Sequence, residues 1–157
     1  MTALYLVAWV VTSALAGITQ VPSDGSPSQV PLRLARDLRS PTGVARVAIF
    51  WVPREIHTYS ALTTAELERS PLCEIRIDLR LLPPKRLAEA LSRTAVVPSD
   101  ASTDLRWAIV FWYHDGRREA VYLDGFGRLG QINSTKVEVK ADALLQYLEG
   151  IGGALGY

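Results

Sequence analysis

The stretch "LRWAIVFWYHDGRREAVYL" (105–123) decides the fold, because it predicts two long strands that pair through a tight turn. Residues 105–113 are apolar at odd and even positions alike, which is typical of a strand buried on both faces. Asp115-Gly116 is a favoured hairpin dipeptide, and residues 119–123 supply the returning strand. The centre of the protein is therefore expected to be an antiparallel hairpin.

Further strands and helices extend this hairpin in both directions. Downstream, residues 128–132 and 136–140 predict two strands around a turn, and residues 141–150 predict a closing helix. Residues 54–59 are expected to prolong an upstream strand past Pro53 as an edge segment. The upstream segments are helix 31–40, strand 44–52, a helix opened by the capping box Thr63–Glu66, strand 73–80 and helix 83–95. We therefore expect one α+β domain, with an antiparallel or mixed sheet that ends in a four-strand meander and carries helices mainly on one face.

Composition and charge exclude several classes of protein. The 157 residues carry a net charge of +1, so no overall field attracts nucleic acid or anionic lipid, and no nucleic-acid partner is expected. The single cysteine, Cys73, cannot form an intramolecular disulfide. Cys73 shares strand parity with Ile75 and Ile77, so its thiol is expected to point into the core and to be unreactive.

The N-terminal segment has the layout of an export signal. Residues 1–16 are uncharged and largely apolar, and they end in Ala14-Leu15-Ala16, which predicts a signal peptide cleaved after Ala16. Residues 17–30 predict a flexible linker, residues 31–150 the α+β domain, and residues 151–157 a frayed tail. The protein is therefore expected to be periplasmic or secreted in a bacterium. The alternatives are an uncleaved anchor that holds the domain at a membrane, and a buried helix of a cytoplasmic fold.

The stretch "GFGRLG" (125–130) has the glycine spacing of a dinucleotide-binding loop. That fingerprint requires a helix after the glycines within a βαβ unit, whereas the residues that follow here predict strands. Gly125 is instead expected to follow Asp124 in a turn, and Gly130 to mark a bulge or a close backbone approach. No nucleotide or other cofactor is expected.

Catalytic chemistry has few candidate residues. The two histidines, His57 and His114, lie outside the spacings of metal-binding motifs, and no serine lies in a nucleophile elbow. With Asp115 and Asp124 the histidines would supply a mononuclear metal site only if the fold brought them together. An exported hydrolase is therefore kept as an alternative, and no metal site is predicted.

Aromatic and arginine side chains concentrate on the central hairpin and the loop after it. Residues 107, 111 and 113 share one strand face and residue 112 lies on the other, so one set is expected to be partly exposed if helices cover a single face. Aromatic patches edged by arginine are typical of protein-binding surfaces. The candidate partner-binding residues are Trp112, Tyr113, Arg117, Phe126 and Arg128. A sheet covered on both faces is the alternative.

These observations favour a small exported bacterial protein that binds a protein or another partner in the cell envelope, without catalysis. An inhibitor, an immunity-type partner and an envelope accessory protein all fit this hypothesis. The alternatives are the hydrolase that uses His57 or His114, and a membrane-anchored structural protein of the envelope.

Overall fold

The computed structural model describes residues 26–40, 43–79, 84–140 and 143–154. The predicted signal peptide (1–16) and the first part of the predicted linker (17–25) lie outside the described residues. The end of that linker is helical, because a 3-10 turn at Pro27–Gln29 leads directly into the first α-helix. Pro27 and Pro31 occupy first-turn positions, where proline is tolerated because its missing N–H has no helical partner.

Eleven α-helices and β-strands follow this 3-10 turn in the described chain. In chain order they are α1 (Val30–Asp37), β1 (Val44–Trp51), α2 (Thr64–Arg69), β2 (Cys73–Asp78), α3 (Lys85–Ser92), β3 (Val96–Pro98), β4 (Leu105–Tyr113), β5 (Arg118–Asp124), β6 (Leu129–Ile132), β7 (Thr135–Val139) and α4 (Ala143–Ala154). None of the described helices has both the length and the apolar content needed to cross a membrane.

The seven strands form one sheet in the order β2-β1-β4-β5-β6-β7-β3. Every neighbouring pair is antiparallel, and β4 to β7 lie side by side in chain order. At the centre, Ile109 of β4 lies opposite Ile49 of β1 and Val121 of β5. The predicted α+β fold with a central hairpin is confirmed.

The two faces of the sheet are covered unequally. The face that carries Ile49, Ile109 and Phe111 forms the main core with α1, α3 and α4. The other face carries a smaller apolar cluster, which α2 covers with the buried Leu67. Helices therefore lie mainly on one face, as the sequence predicts.

The capping box that opens α2 is also present as predicted. The Thr63 hydroxyl accepts a hydrogen bond from the Glu66 N–H at 3.3 Å, and the Thr63 N–H donates to the Glu66 carboxylate at 2.9 Å. These two bonds satisfy backbone donors that a short helix would otherwise leave unpaired. They fix the start of α2 at the position that the sequence indicates.

Three segments differ from the sequence expectation. Residues 54–59 form a loop and no strand, because Pro53 ends the pairing of β1 and the chain turns away. Residues 96–98, which the sequence left unassigned, form the short edge strand β3 beside β7. Helix α4 continues to Ala154, so residues 151–154 of the predicted tail are helical.

The glycines of "GFGRLG" have structural roles in a turn and a strand. Gly127 has a φ of +63°, and a Cβ there would lie 2.7 Å from the Cβ of Leu145 in α4. Gly130 lies in β6, where an added Cβ would come within 2.1 Å of the Tyr122 carbonyl oxygen. The predicted close backbone approach at Gly130 is confirmed. Strand β6, which contains Gly130, and strand β7 follow Gly127 in the chain.

Candidate functional site

One end of the sheet combines two clefts with protruding apolar side chains. We call it the loop end and define it by residues 52–62, 102–106 and 124–126. Here β1 ends, β4 begins and β5 ends, so three connections between strands meet at the same end of the antiparallel sheet. The Val52 N–H donates to the Arg106 carbonyl at 2.9 Å, which keeps the exit of β1 against the start of β4.

A buried arginine fixes the long loop of this end. The Arg106 side chain is 10% exposed and binds the Asp104 carboxylate through its Nε at 2.7 Å. Its guanidinium also donates to the Ile56 carbonyl at 2.8 Å and to the Thr58 hydroxyl at 3.4 Å. Asp104 in turn accepts a hydrogen bond from the Leu62 N–H at 2.7 Å. The Arg106–Asp104 pair therefore holds the middle and the end of the loop in one conformation.

Three large apolar side chains of the loop end are exposed to solvent. Ile56 is 44% exposed, Phe126 is 65% exposed, and Tyr59 is as exposed as in an extended chain. The remaining described large apolar residues with this exposure are spread over α1, the start of β2 and β3: Leu32, Leu72 and Val97. Apolar exposure is therefore concentrated at the loop end.

Two open clefts of about 370 Å³ each lie at the loop end, and Phe126 lines the second of them. One lies between the exit of β1 and the last turns of α4, and its wall includes Glu149 and Gly152. The other lies between residues 102–106 and the turn at 124–126. Both clefts are lined by Arg54 and Gly125, and a Cβ on Gly125 would lie 3.3 Å from the Arg54 Cβ. These two residues therefore lie close together where the two clefts adjoin.

Stacked indole rings form the floor of the first cleft. Trp51 and Trp107 lie opposite each other on β1 and β4, with ring centroids 5.5 Å apart and planes inclined by 17°. Both rings are almost entirely buried, and Gly152 of α4 lies close to the ring of Trp107. The pair gives the cleft a rigid apolar base.

Asp124 holds the turn that carries Phe126. Its carboxylate accepts hydrogen bonds from the N–H groups of Phe126 at 3.2 Å and Arg128 at 2.9 Å. The same turn packs on α4 at Gly127, where there is no room for a side chain. Asp124, one of the candidate catalytic residues, thus stabilises a turn that presents an exposed aromatic ring.

The five candidate partner-binding residues lie at both ends of the central hairpin. Trp112 and Tyr113 lie near the turn at the opposite end of β5 from Phe126 and Arg128. Trp112 is half-buried on the α2 side, with the Arg46 guanidinium 4.2 Å from its ring centroid. Tyr113 is buried on the other face, because strand neighbours point to opposite sides.

Arg117 belongs to a polar network at that opposite end. Its guanidinium lies 3.8 Å from the centroid of the Tyr113 ring and donates to the Glu119 carboxylate at 2.9 Å. Glu119 is 3% exposed and binds Arg33 of α1 through two bonds of 2.7 and 2.6 Å. The Tyr113 hydroxyl donates to Asp37 at 3.1 Å, and burial raises the pKa of Tyr113. These contacts attach α1 to the central hairpin.

The structure divides the candidate catalytic residues between two ends of the sheet, with His57 and Asp124 in segments of the loop end. His57 is exposed in the loop that Arg106 holds, whereas His114 and Asp115 lie in the turn at the other end of β5. The Asp115 carboxylate accepts a hydrogen bond from the Arg117 N–H at 2.9 Å, which is the ordinary role of aspartate in a turn. Among the described residues, no three His, Cys, Asp or Glu side chains are grouped so as to hold a metal ion.

Cys73 is less buried than the sequence predicts. It points to the helix-covered face together with Ile75 and Ile77, as their shared parity indicates. All three are nevertheless half-buried, because β2 is an edge strand and the core ends there.

Sequence reasoning did not identify Arg106, Asp104 or Arg54 as residues of a site. A signal was present for Arg106, which is the one charged residue of the otherwise apolar strand β4. Its partners lie in a loop 48 to 50 positions earlier in the chain, so spacing alone does not connect them. No protein-family model, curated protein or solved structure matches this chain.

Proposed function

We propose that this protein binds a protein partner through its loop end, and that it does so after export across a bacterial inner membrane. The exposed Tyr59 and Phe126 of the loop end carry the proposal, and Phe126 also lines one of its two clefts. Large aromatic side chains supply most of the binding energy in protein interfaces, because they bury much apolar area at a low cost in conformational entropy. The export half of the proposal rests on the signal-like residues 1–16.

The order of the loop supports binding rather than a purely connecting role. A ten-residue connection without secondary structure usually costs free energy when a partner immobilises it. Here Arg106 and Asp104 already fix the loop in the free protein, through bonds to Ile56, Thr58 and Leu62. A partner would therefore meet a preorganised surface.

The charge of the loop end favours a protein over a nucleic acid or an anionic lipid. Its cations are paired locally: Arg54 binds Glu55 at 3.0 Å, and Arg106 binds Asp104. A surface with neutralised charges around apolar side chains matches the polar rim and apolar centre of protein interfaces. The aromatic rings protrude, whereas small-molecule sites usually enclose their ligand.

Affinity capture with matched variants tests the proposal. The full chain, with a C-terminal tag, is expressed in its host, and proteins retained from the envelope fraction are quantified by mass spectrometry. We expect Tyr59→Ser/Phe126→Ser to reduce the capture of one partner by at least about tenfold, because two apolar anchors are lost. The matched control is Leu32→Ser/Val97→Ser, which removes two exposed apolar side chains elsewhere and should retain that partner.

Two results would contradict the proposal. One is equal capture by the loop-end variant and the wild-type chain. The other is equal loss of the partner in both double variants, which would assign binding to general surface hydrophobicity. Both variants change exposed side chains only, so circular dichroism should show wild-type folding in each.

A further inference from the structure

The two edges of the sheet are built differently. Strand β3 is three residues long and ends at Pro98, which has no N–H to offer to another strand. Short edge strands and prolines are the devices by which proteins prevent edge-to-edge association. At the other edge, β2 has six residues, contains no proline and pairs with β1 without a bulge. Among the described residues, no strand lies beyond β2.

Apolar side chains line one face of this open edge. Cys73, Ile75 and Ile77 point to the helix-covered side and pack against the main core, but all three remain half-buried. Leu72, directly before the strand, is 60% exposed. A further strand placed beside β2 would cover these side chains and would use the outward backbone groups of the strand.

The opposite face of β2 carries alternating charges. Glu74 and Arg76 are exposed and form an ion pair within the strand. In an antiparallel pair of two β2 strands centred on Ile75, Glu74 of each copy lies opposite Arg76 of the other. Ile75 then faces Ile75 of the other copy, and Cys73 faces Ile77 of the other copy. Over residues 73–77, every cross-strand pair is apolar with apolar or negative with positive.

Moving the centre of the pair to a neighbouring residue, which shifts the register by two residues, removes the complementarity. When the pair is centred on Arg76, the Arg76 side chains of the two copies lie opposite each other. Like charges in this position destabilise a sheet. When it is centred on Glu74, the two carboxylates meet in the same way. The pattern of β2 therefore favours self-pairing about Ile75 over the neighbouring registers.

We propose that a second copy of this chain occupies the open edge, with β2 of the two copies paired antiparallel about Ile75. The two sheets then form one continuous sheet across a two-fold axis, and the interface is isologous, as in most homodimers. This inference rests on the edge strand alone, and it does not depend on the function proposed for the loop end.

Cysteine cross-linking in cells tests the pairing in the full chain. Two differently tagged copies of Cys73→Ser/Ile75→Cys are co-expressed and treated with a membrane-permeant oxidant. We expect a disulfide-linked dimer that contains both tags, because residues directly opposite in an antiparallel pair have Cβ atoms roughly 5 Å apart. The matched control is Cys73→Ser/Val97→Cys, which places the thiol on the blunted edge strand β3 and should remain monomeric.

Charge exchange on the same background tests the register. Adding Glu74→Arg places arginine opposite Arg76 of the other copy twice, and we expect the cross-linked fraction to fall about tenfold. Adding Glu74→Arg together with Arg76→Glu reverses both signs and should restore the dimer, which also shows that these exposed substitutions leave the fold intact.

Three outcomes would overturn the proposal. The first is a cross-linked dimer that does not respond to Glu74→Arg, and the second is equal cross-linking from Val97→Cys. The third is a cross-link from position 75 to a different protein only, which would show that a foreign strand covers this edge.

Discussion

At the scale of single residues, one carboxylate fastens the helix α2 to the sheet. Glu68 of α2 accepts hydrogen bonds from the Tyr122 hydroxyl and from the Arg118 guanidinium, both on β5. Burial of the ring, followed by the bond to Glu68, raises the pKa of Tyr122 to about 12. In the unfolded chain the hydroxyl ionises at its ordinary pKa of 10.0. The Tyr122 hydroxyl therefore contributes to the free energy of unfolding only at pH values at which it stays protonated.

The sign of this contribution gives a prediction for alkaline unfolding. Since the folded pKa of Tyr122 lies above the unfolded one, its contribution is complete below pH 10, and it is lost as the pH rises from 10 towards about 12. We expect Tyr122→Phe to reduce the pH dependence of the free energy of unfolding in this range by about 1 kcal/mol per pH unit. Urea titrations at several pH values measure this dependence. An unchanged slope in Tyr122→Phe would refute the assignment.

At the scale of elements, Arg106 determines whether the loop 53–62 is ordered. We expect Arg106→Gln to release this loop while β1 and β4 stay paired, because the bonds of the guanidinium to Ile56 and Thr58 belong to the loop alone. Hydrogen–deuterium exchange of peptides that cover 54–62 should become at least about tenfold faster. Exchange in the centre of β4 should stay slow, and equally fast exchange in both regions would show that Arg106 supports the whole sheet instead.

The elements that the sequence predicts correctly are those with a strong local signal. The apolar run of β4, the Asp115-Gly116 turn and the capping box at Thr63 each depend on neighbours within a few positions, so spacing reveals them. Strand β3 escaped prediction because it has three residues and is defined only by its pairing with β7. The loop end escaped for the same physical reason, since Arg106 acts on residues that are distant in the chain.

The aromatic surface shows where strand parity alone is insufficient. Parity correctly separates Trp112 from Tyr113, but it does not give the end of the sheet at which Phe126 lies. Trp112 and Tyr113 end β4 before the turn into β5, whereas Phe126 follows the end of β5, so the two lie at opposite ends of the hairpin. The exposed ring that the sequence grouped with Trp112 instead lies with Ile56 and Tyr59, which the sequence did not single out.

At the scale of the whole molecule, two parts of the sheet are suited to contacts with other molecules, the loop end and the β2 edge. Its loop end presents apolar side chains on a loop fixed by Arg106, and its β2 edge offers an unblunted strand. The opposite edge strand, β3, ends at Pro98, which has no N–H to offer to another strand. At the end opposite the loop end, Glu119 binds Arg33 and Arg117. The proposed function assigns partner contact to the loop end, and the proposed dimer assigns a second copy to the β2 edge.

Site-specific photo-cross-linking in living cells tests partner binding at the loop end most directly. A photoreactive amino acid is placed at position 59, at position 126 or, as a control, at the exposed position 32, and adducts are identified by mass spectrometry. We predict that positions 59 and 126 capture the same protein and that position 32 does not. Adducts at position 32 alone, or the absence of a protein adduct at both loop-end positions, would contradict a partner-binding loop end.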